Sequence, residues 1–211
     1  MFRLSEQLFQ GARLSLTAHE PDQDAAVEAR WTNDPEYLRL VSNEPARPLS
    51  AAAIKKKYEE QEKEKNHRRL SFALRLRGEA APAPAAGDAQ ASPAACPERL
   101  IGFVRFENID WSNGSARLVL GLGAADDRRR GYGTEALGLA LRYAFEELNL
   151  HRLGAETAAY NQGALRLLEQ AGFQVEVRRR EAIYRDGRRW DELWLGLLSE
   201  EWRARRAEAQ A

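Results

Sequence analysis

Residues 120–136, which read LGLGAADDRRRGYGTEA, connect the end of an apolar strand to the start of a helix through a loop rich in arginine and glycine. The first turn of a helix leaves backbone N–H groups without partners, and the helix dipole adds partial positive charge there. Arg128, Arg129 and Arg130 contribute full charges just before that turn, and the glycines allow an anion to approach the main chain. The stretch therefore predicts a site for a phosphate-bearing ligand.

The same stretch has simpler interpretations. A tight turn whose arginines face water would give the same sequence. An ATP-type phosphate loop is excluded, because no lysine followed by serine or threonine stands at the required spacing. A dinucleotide fingerprint would need a third glycine, for which Ala136 could stand, but the preceding strand follows a hairpin meander and does not open a parallel unit.

Apolar periodicity predicts the elements around this stretch. Period-2 alternation and turn residues predict seven strands, at 11–17, 70–76, 100–107, 116–123, 152–158, 173–184 and 190–198. Helical spacing predicts four helices, from 24 to a stop at 33–35 and over 50–65, 131–150 and 161–171. An antiparallel meander precedes the central helix and a strand-helix-strand unit follows it, which indicates an α+β (mixed α/β) fold.

The length of 211 residues and the 44% of hydrophobic residues predict one domain over 1–211. Residues 78–97, GEAAPAPAAGDAQASPAACP, are small residues and prolines without periodicity. Such a composition cannot offset the entropy of ordering. We therefore expect a flexible insertion loop within that domain.

Charge and composition exclude several classes of function. Lys and Arg number 32 and so do Asp and Glu, so no global field favours nucleic acid or an anionic membrane. The single cysteine, Cys96, cannot form an internal disulfide, and three scattered histidines predict no metal site. Without a signal peptide or a spanning apolar run, a cytoplasmic protein is expected. Nucleic-acid binding through Arg128–Arg130 and Arg178–Arg180 stays a disfavoured alternative.

At Arg128, Gly131 and Gly133 the chain resembles the GNAT acyltransferase family, whose central motif is arginine or glutamine, two residues, glycine, one residue, and glycine or alanine. Residues 161–173 look like the next helix of that family. LFQGARLSL at 8–16, ARWTNDP at 29–35 and the closing stretch 184–202 are similar to its Rim-type branch, which acetylates ribosomal-protein alanines.

The resemblance implies the GNAT fold, a mostly antiparallel, splayed seven-stranded sheet with about four helices. It also implies an N-acetyltransferase that moves an acetyl group from acetyl-CoA to a primary amine. Main-chain groups near Leu120 and Leu122 would pair with the pantetheine amides, and the Leu122 N–H would polarise the thioester carbonyl. Asn161 would contact the cofactor arm as well as cap its helix. Arg128 and the loop amides would hold the pyrophosphate, the amides being those of Arg129, Arg130, Gly131, Tyr132, Gly133 and Thr134.

The usual proton-transfer groups of the family are replaced in this chain. Arg117 stands where many relatives have a glutamate on the strand before the loop, and Leu168 stands where many have a tyrosine. Glu107 and Tyr160 are candidate substitutes for this base and acid. A second hypothesis follows from these departures, a CoA-binding module with weakened turnover.

The partner expected from the resemblance is a small-molecule amine or a protein N-terminal amine. A homodimer is a further expectation, because Trp190 and Trp194 share a strand face near the end of the sheet.

Overall fold

The computed structural model describes residues 7–63, 68–78 and 98–208. Cys96, His67 and residues 79–97 of the predicted insertion lie outside the described residues. The strands are β1 Leu14–Thr17, β2 Leu70–Leu76, β3 Arg99–Asp110, β4 Ser115–Leu122, β5 Arg152–Ala158, β6 Gln174–Arg185 and β7 Arg188–Leu198. The α-helices are α1 Pro21–Trp31, α2 Pro35–Val41, α3 Ala51–Glu62, α4 Tyr132–Arg142, α5 Gln162–Ala171 and α6 Ser199–Glu208.

The seven strands form one sheet in the order β1-β2-β3-β4-β5-β7-β6. All neighbours are antiparallel except β4 and β5, so the predicted meander and the mixed α/β class are confirmed. β2 and β3, which flank the predicted insertion, pair directly with each other.

The described residues contain six α-helices, two more than the sequence predicts. The predicted stop at 33–35 is the start of α2, where the Asp34 side chain accepts a hydrogen bond from the Glu36 N–H at 2.8 Å and Pro35 takes the first helical position. The unpredicted α6 begins where Glu201 reaches back to accept from the Leu198 N–H at 3.0 Å. The predicted central helix is α4 followed by a short π-helical segment, Tyr143–Glu147.

α4 packs its apolar stripe onto one face of the sheet. Its Leu137 and Leu141 are buried with Phe106, Leu118 and Leu153 from the strands. This is the continuous core of the molecule, and it fixes the start of α4 against the end of β4.

The opposite face of the sheet carries α1 to α3. Two glycines of β4 and the following loop permit the close approach: a Cβ at Gly121 would meet Val41 at 3.1 Å, and one at Gly123 would meet Trp31 at 2.0 Å. α1 is also held by a buried ion pair, in which Arg75 of β2 donates two hydrogen bonds of 3.0 Å to Asp24. Burial alone would raise the pKa of Asp24, but the nearby His19, the Glu20 amide and Arg75 outweigh burial and lower it.

β4 and β5 separate after a short parallel contact. They pair only at Ser115–Arg117 with Arg152–Gly154, although β4 continues to Leu122 and β5 to Ala158. The end of β4 therefore has no strand on its β5 side. The sheet is open at the point where the chain leaves β4 for the arginine-rich loop.

Candidate active site

The opening between β4 and β5 leads into a cleft of about 1810 Å³. It is lined by the ends of β4 and β5, the starts of α4 and α5, the cleft-facing side of β3, part of α3, and α2 with the segment that follows it. A cleft of this size accommodates an extended ligand together with a second molecule.

The free edge of β4 presents main-chain polar groups to this cleft. The Gly123 N–H donates to the Ile101 oxygen of β3 at 2.9 Å. Because N–H groups alternate in direction along an antiparallel strand, the N–H groups of Leu122 and Leu120 point the other way, toward the side that β5 has left. Both leucines line the cleft, where the resemblance had placed them.

The start of α4 lies at the same end of the cleft. The first helical hydrogen bond runs from the Glu135 N–H to the Gly131 oxygen at 3.1 Å, so the amides of Tyr132, Gly133 and Thr134 have no acceptor within the helix. Gly131 has a φ of 81°, a left-handed conformation that favours glycine and turns the loop into the helix. Glu135 holds this start in place, because its carboxylate accepts from the Arg13 and Leu14 N–H groups at 2.6 and 3.0 Å.

The three arginines of the loop have different surroundings. Arg128 turns inward, donates to the Gly123 oxygen at 3.1 Å and pairs with Asp34 at 3.4 Å, which ties the loop to the start of α2. Arg129 is exposed and lines the cleft. Arg130 is exposed and lies outside the cleft lining. The predicted charge at the helix start therefore comes from Arg129, with Arg128 facing both the loop and the cleft.

Two other residues predicted for the cofactor site have structural contacts. The Tyr132 side chain is buried, with the Arg13 guanidinium 4.8 Å from its ring centre, so only its backbone can serve the cleft. Asn161 caps α5 by accepting from the Ala164 N–H at 3.1 Å and donates to the Leu40 oxygen at 3.3 Å. Asn161 lines the cleft, so a capping role and a ligand contact are compatible.

Glu107 lies on the cleft-facing side of β3 and is paired with Arg117. The Arg117 guanidinium donates to Glu107 at 2.5 Å and to Glu156 of β5 at 3.0 Å. Burial lowers the pKa of Arg117, but the two carboxylates outweigh burial and raise it above its ordinary value. Where relatives have a glutamate, this chain thus places a permanent cation between two carboxylates.

Tyr160 lines the cleft at the entrance to α5. Its hydroxyl donates to the Arg39 oxygen at 2.7 Å, and its ring packs edge-on against Trp190 at 5.4 Å. Burial raises the pKa of Tyr160, so the phenol keeps its proton at neutral pH. Leu168, at the family's tyrosine position, is buried and has no proton to give.

Sequence reasoning missed a group of polar side chains where α1 and α3 line the cleft. The His19 ring stacks on Tyr58 at 4.4 Å and its Nε2 lies 2.9 Å from the Ser71 hydroxyl. Tyr58 donates to Glu28, and burial followed by the charge of Glu28 raises the pKa of Tyr58. The four residues lie in a loop, on α1, on α3 and on β2. No local sequence motif therefore predicts that they contact one another.

Arg105 was missed for a different reason. It lies between Phe103 and Glu107 on β3, and the alternation of a strand places all three on one face. That signal was present in the sequence, but it does not tell which face of β3 lines a cleft.

The described residues contain neither a cluster of metal ligands nor a helix that could span a membrane. No group of three or more His, Cys, Asp or Glu side chains in residues 7–63, 68–78 and 98–208 is placed to hold a metal ion. None of the helices in that part of the chain is long and apolar enough to cross a membrane.

A mostly antiparallel seven-stranded sheet that splits beside β4, with a glycine-rich helix start at the split, defines an acyltransferase-type fold. The family model described as acetyltransferase (GNAT) domain matches residues 13–174, and the chain belongs to that family.

Curated relatives come from bacteria and match over part of their length. An uncharacterised N-acetyltransferase of Bacillus subtilis, YnaD, is 33% identical over 75 residues, which are 36% of this chain and 44% of that protein. The putative ribosomal N-acetyltransferase YdaF of the same organism is 31% identical over 103 residues, 49% of this chain and 56% of that protein. The spermidine N(1)-acetyltransferase of Vibrio cholerae is 31% identical over 94 residues, 44% of this chain and 54% of that protein. The chain thus spans about half the length of the curated relatives it matches.

Solved structures confirm the fold over nearly the whole chain. The spermidine N-acetyltransferase of Vibrio cholerae, crystallised in complex with CoA and spermine, superposes with a TM-score of 0.72 at 22% identity. The superposition covers 91% of this chain and 99% of that one. A dodecameric structure of a Vibrio cholerae spermidine N-acetyltransferase gives a TM-score of 0.68 at 22% identity, with 92% and 99% covered.

Proposed function

We propose that the protein is an N-acetyltransferase that moves an acetyl group from acetyl-CoA to a primary amine by direct attack of the amine on the thioester. The observation that carries the proposal is the free edge of β4 at Leu120 and Leu122, directly beside the unpaired amides at the start of α4. Membership of the GNAT family supports it.

The residues present fit coenzyme A. The amides of Tyr132, Gly133 and Thr134 would hold the pyrophosphate with Arg128 and Arg129, and we retain Arg130 and Gly131 in the same loop site. Leu120 and Asn161 would position the pantetheine arm. Acetyl-CoA would supply the activated acetyl group, and the Leu122 N–H would stabilise negative charge on the thioester oxygen.

Proton transfer falls to side chains that face the same cleft. We assign Glu107 as the proton acceptor for the amine and Tyr160 as the proton donor for the departing thiolate. Both line the cleft on opposite sides of the β4 edge, from β3 and from the loop before α5. Arg117 already donates a hydrogen bond to one carboxylate oxygen of Glu107, so the other oxygen would have to accept the proton of the amine.

Glu107→Gln and Tyr160→Phe are each expected to lower kcat at least about tenfold, since each removes one proton-transfer group while keeping its shape. Glu156→Gln is the matched control, because Glu156 shares Arg117 with Glu107. Steady-state kinetics with one acceptor measures kcat for all three variants. Equal losses in the two glutamine variants would mean that Glu107 has only a structural role.

Activity itself is tested by incubating the protein with acetyl-CoA and a panel of amines and following free thiol. Release that depends on an amine, with an acetylated product by mass spectrometry, is the expected result. The second candidate function, a CoA-binding module with weakened turnover, is favoured by Arg117 and Leu168 at the two family positions. Calorimetric binding of CoA without thiol release for any amine would support this second function over the first.

We propose an acceptor that is a small-molecule amine or a protein N-terminal amine, a Rim-type branch, one domain over 1–211 and a cytoplasmic location. The name of YdaF supports the branch, and the direct pairing of β2 with β3 supports one domain around the insertion 78–97.

We also propose that the protein forms a homodimer. Trp194 of β7 and its ladder partner Val177 of β6 are both exposed, and this apolar pair supports self-association. Sedimentation equilibrium of the full chain tests the homodimer, and a monomer at all concentrations would contradict it.

A further inference from the structure

The cleft carries a local excess of positive charge. Among the described residues that line it, ten are Lys or Arg and six are Glu, whereas the chain as a whole has 32 of each sign. Coenzyme A would neutralise part of this excess beside Arg128 and Arg129. The other cations lie on other elements of the cleft lining, among them Lys57 of α3, Arg105 of β3 and Arg166 of α5.

The carboxylates of the cleft are mostly engaged. Glu107 and Glu156 share Arg117, Glu28 accepts from Tyr58, and Glu36 lies 3.5 Å from Arg128. These contacts leave little free negative charge to bind a cationic acceptor. A polyamine, which has several positive charges, would find few partners there.

Arg105 is a cation of this cleft that has an unsatisfied hydrogen-bond donor. Its guanidinium stacks over the Phe103 ring at 3.9 Å, and its Nε is buried without a hydrogen-bond partner. No carboxylate within the described residues forms an ion pair with Arg105. A buried guanidinium donor that lacks a partner in the protein is suited to an anionic partner from a ligand.

The backbone of Arg105 is separated along β3 from the arginine-rich loop. It pairs with Val119 of β4, while Ile101 of β3 meets Gly123 at the start of the loop. Four residues of strand separate these positions, about 13 Å. Arg105 is instead level with the splayed part of β4, next to Leu120 in the ladder.

We propose that the acceptor is a primary amine that also carries an anionic group, a carboxylate or a phosphate, and that Arg105 binds this group. The proposal rests on the proposed function and specifies its substrate class. With the amine at the β4 edge near Leu122, the strand geometry sets the distance between amine and anion at roughly 10 Å or less. Arg105 would then be a specificity-determining residue, and polyamines would be poor acceptors.

The test compares matched pairs of acceptors that differ in one anionic group. Alanyl-glutamate amide against alanyl-glutamine amide probes a carboxylate, phosphoethanolamine against ethanolamine probes a phosphate, and spermidine is the polycation. The expected result is a kcat/KM at least about tenfold higher for one or both anionic members than for their neutral analogues. Equal or lower values for both anionic members, or a preference for spermidine, would overturn the proposal while leaving the acetyltransferase function intact.

Substitutions of Arg105 test whether this residue causes the preference for anionic acceptors. Arg105→Gln is expected to bring the ratio between anionic and neutral acceptors close to one, and Arg105→Lys to restore part of it. Arg203→Gln, which removes the same charge from the exposed surface of α6 outside the cleft, should leave the ratio unchanged. An unchanged ratio in Arg105→Gln would overturn the assignment.

Measurements of acceptor binding test the role of Arg105 independently of acetyl transfer. Calorimetry of each acceptor with the CoA-saturated protein should show the same preference for the anionic members and its loss in Arg105→Gln. If no amine is acetylated, the proposed function fails, and the calorimetric preference alone then supports or overturns the role of Arg105.

Discussion

Replacing Gly133 with glutamate is expected to weaken coenzyme A binding at least about 100-fold, because it disrupts two or more charge-assisted hydrogen bonds from helix amides. Gly133 lies in the first turn of α4 and lines the cleft. A carboxylate there repels the pyrophosphate and occupies the space in front of the unpaired amides. Isothermal calorimetry of the Gly133→Glu protein with coenzyme A measures the effect.

The fold should tolerate this change, which makes the result interpretable. A Cβ at Gly133 would lie 3.4 Å from Leu167 and 4.0 Å from Leu122, which is ordinary contact. Gly138→Glu is the matched control on the same helix, since a Cβ there meets nothing within 4 Å and the residue is exposed. Its affinity should stay within about threefold of the parent, because the new charge is more than a helical turn from the ligand. Equal losses in both variants would indicate a general charge effect and not a site at the helix start.

Replacing Leu122 with proline is expected to lower kcat about 100- to 1000-fold, the usual effect of removing one donor to a developing oxyanion. Proline has no N–H, and the N–H of Leu122 is the group that we assign to the thioester oxygen. Steady-state kinetics under saturating acetyl-CoA measures kcat, and calorimetry measures cofactor binding separately.

The Leu122→Pro substitution should lower the stability of the sheet only slightly. Leu122 faces Gly102 across the ladder at a position that donates no hydrogen bond to β3, since the neighbouring Gly123 does so. Leu122→Ala keeps the N–H and removes the side chain, so its kcat should remain within about threefold of the parent. A proline variant that retains kcat within a few-fold would show that another donor stabilises the thioester oxygen.

The sequence predicted the strands well because their signal is local. Each of the seven predicted strands has its counterpart in the sheet, with bounds that differ by three residues or fewer, since alternation and turn residues act over a few positions. Pro35 shows the limit of such signals. A proline ends one helix and begins another equally well, and only the Asp34 cap distinguishes the two.

The candidate site also has a part whose signal is local in the sequence and a part whose signal is not. The loop 120–136 was predicted because strand, loop and helix start are contiguous, so their geometry follows from the sequence. His19 and Tyr58 were missed because their contact depends on how α3 packs near the sheet, and Arg105 was missed because alternation does not tell which face of β3 lines the cleft. Arg117 was recognised as a departure from the family, but its position between Glu107 and Glu156 required the register of three strands.

Backbone amide NMR of the full chain, titrated with coenzyme A, tests the central claim most directly. The largest shift changes are expected at the amides of Tyr132, Gly133 and Thr134, with further changes at Leu120 and Leu122. Saturation that leaves these amides unchanged, with the largest changes on the β6–β7 hairpin or elsewhere, would contradict a coenzyme A site at the open edge of β4.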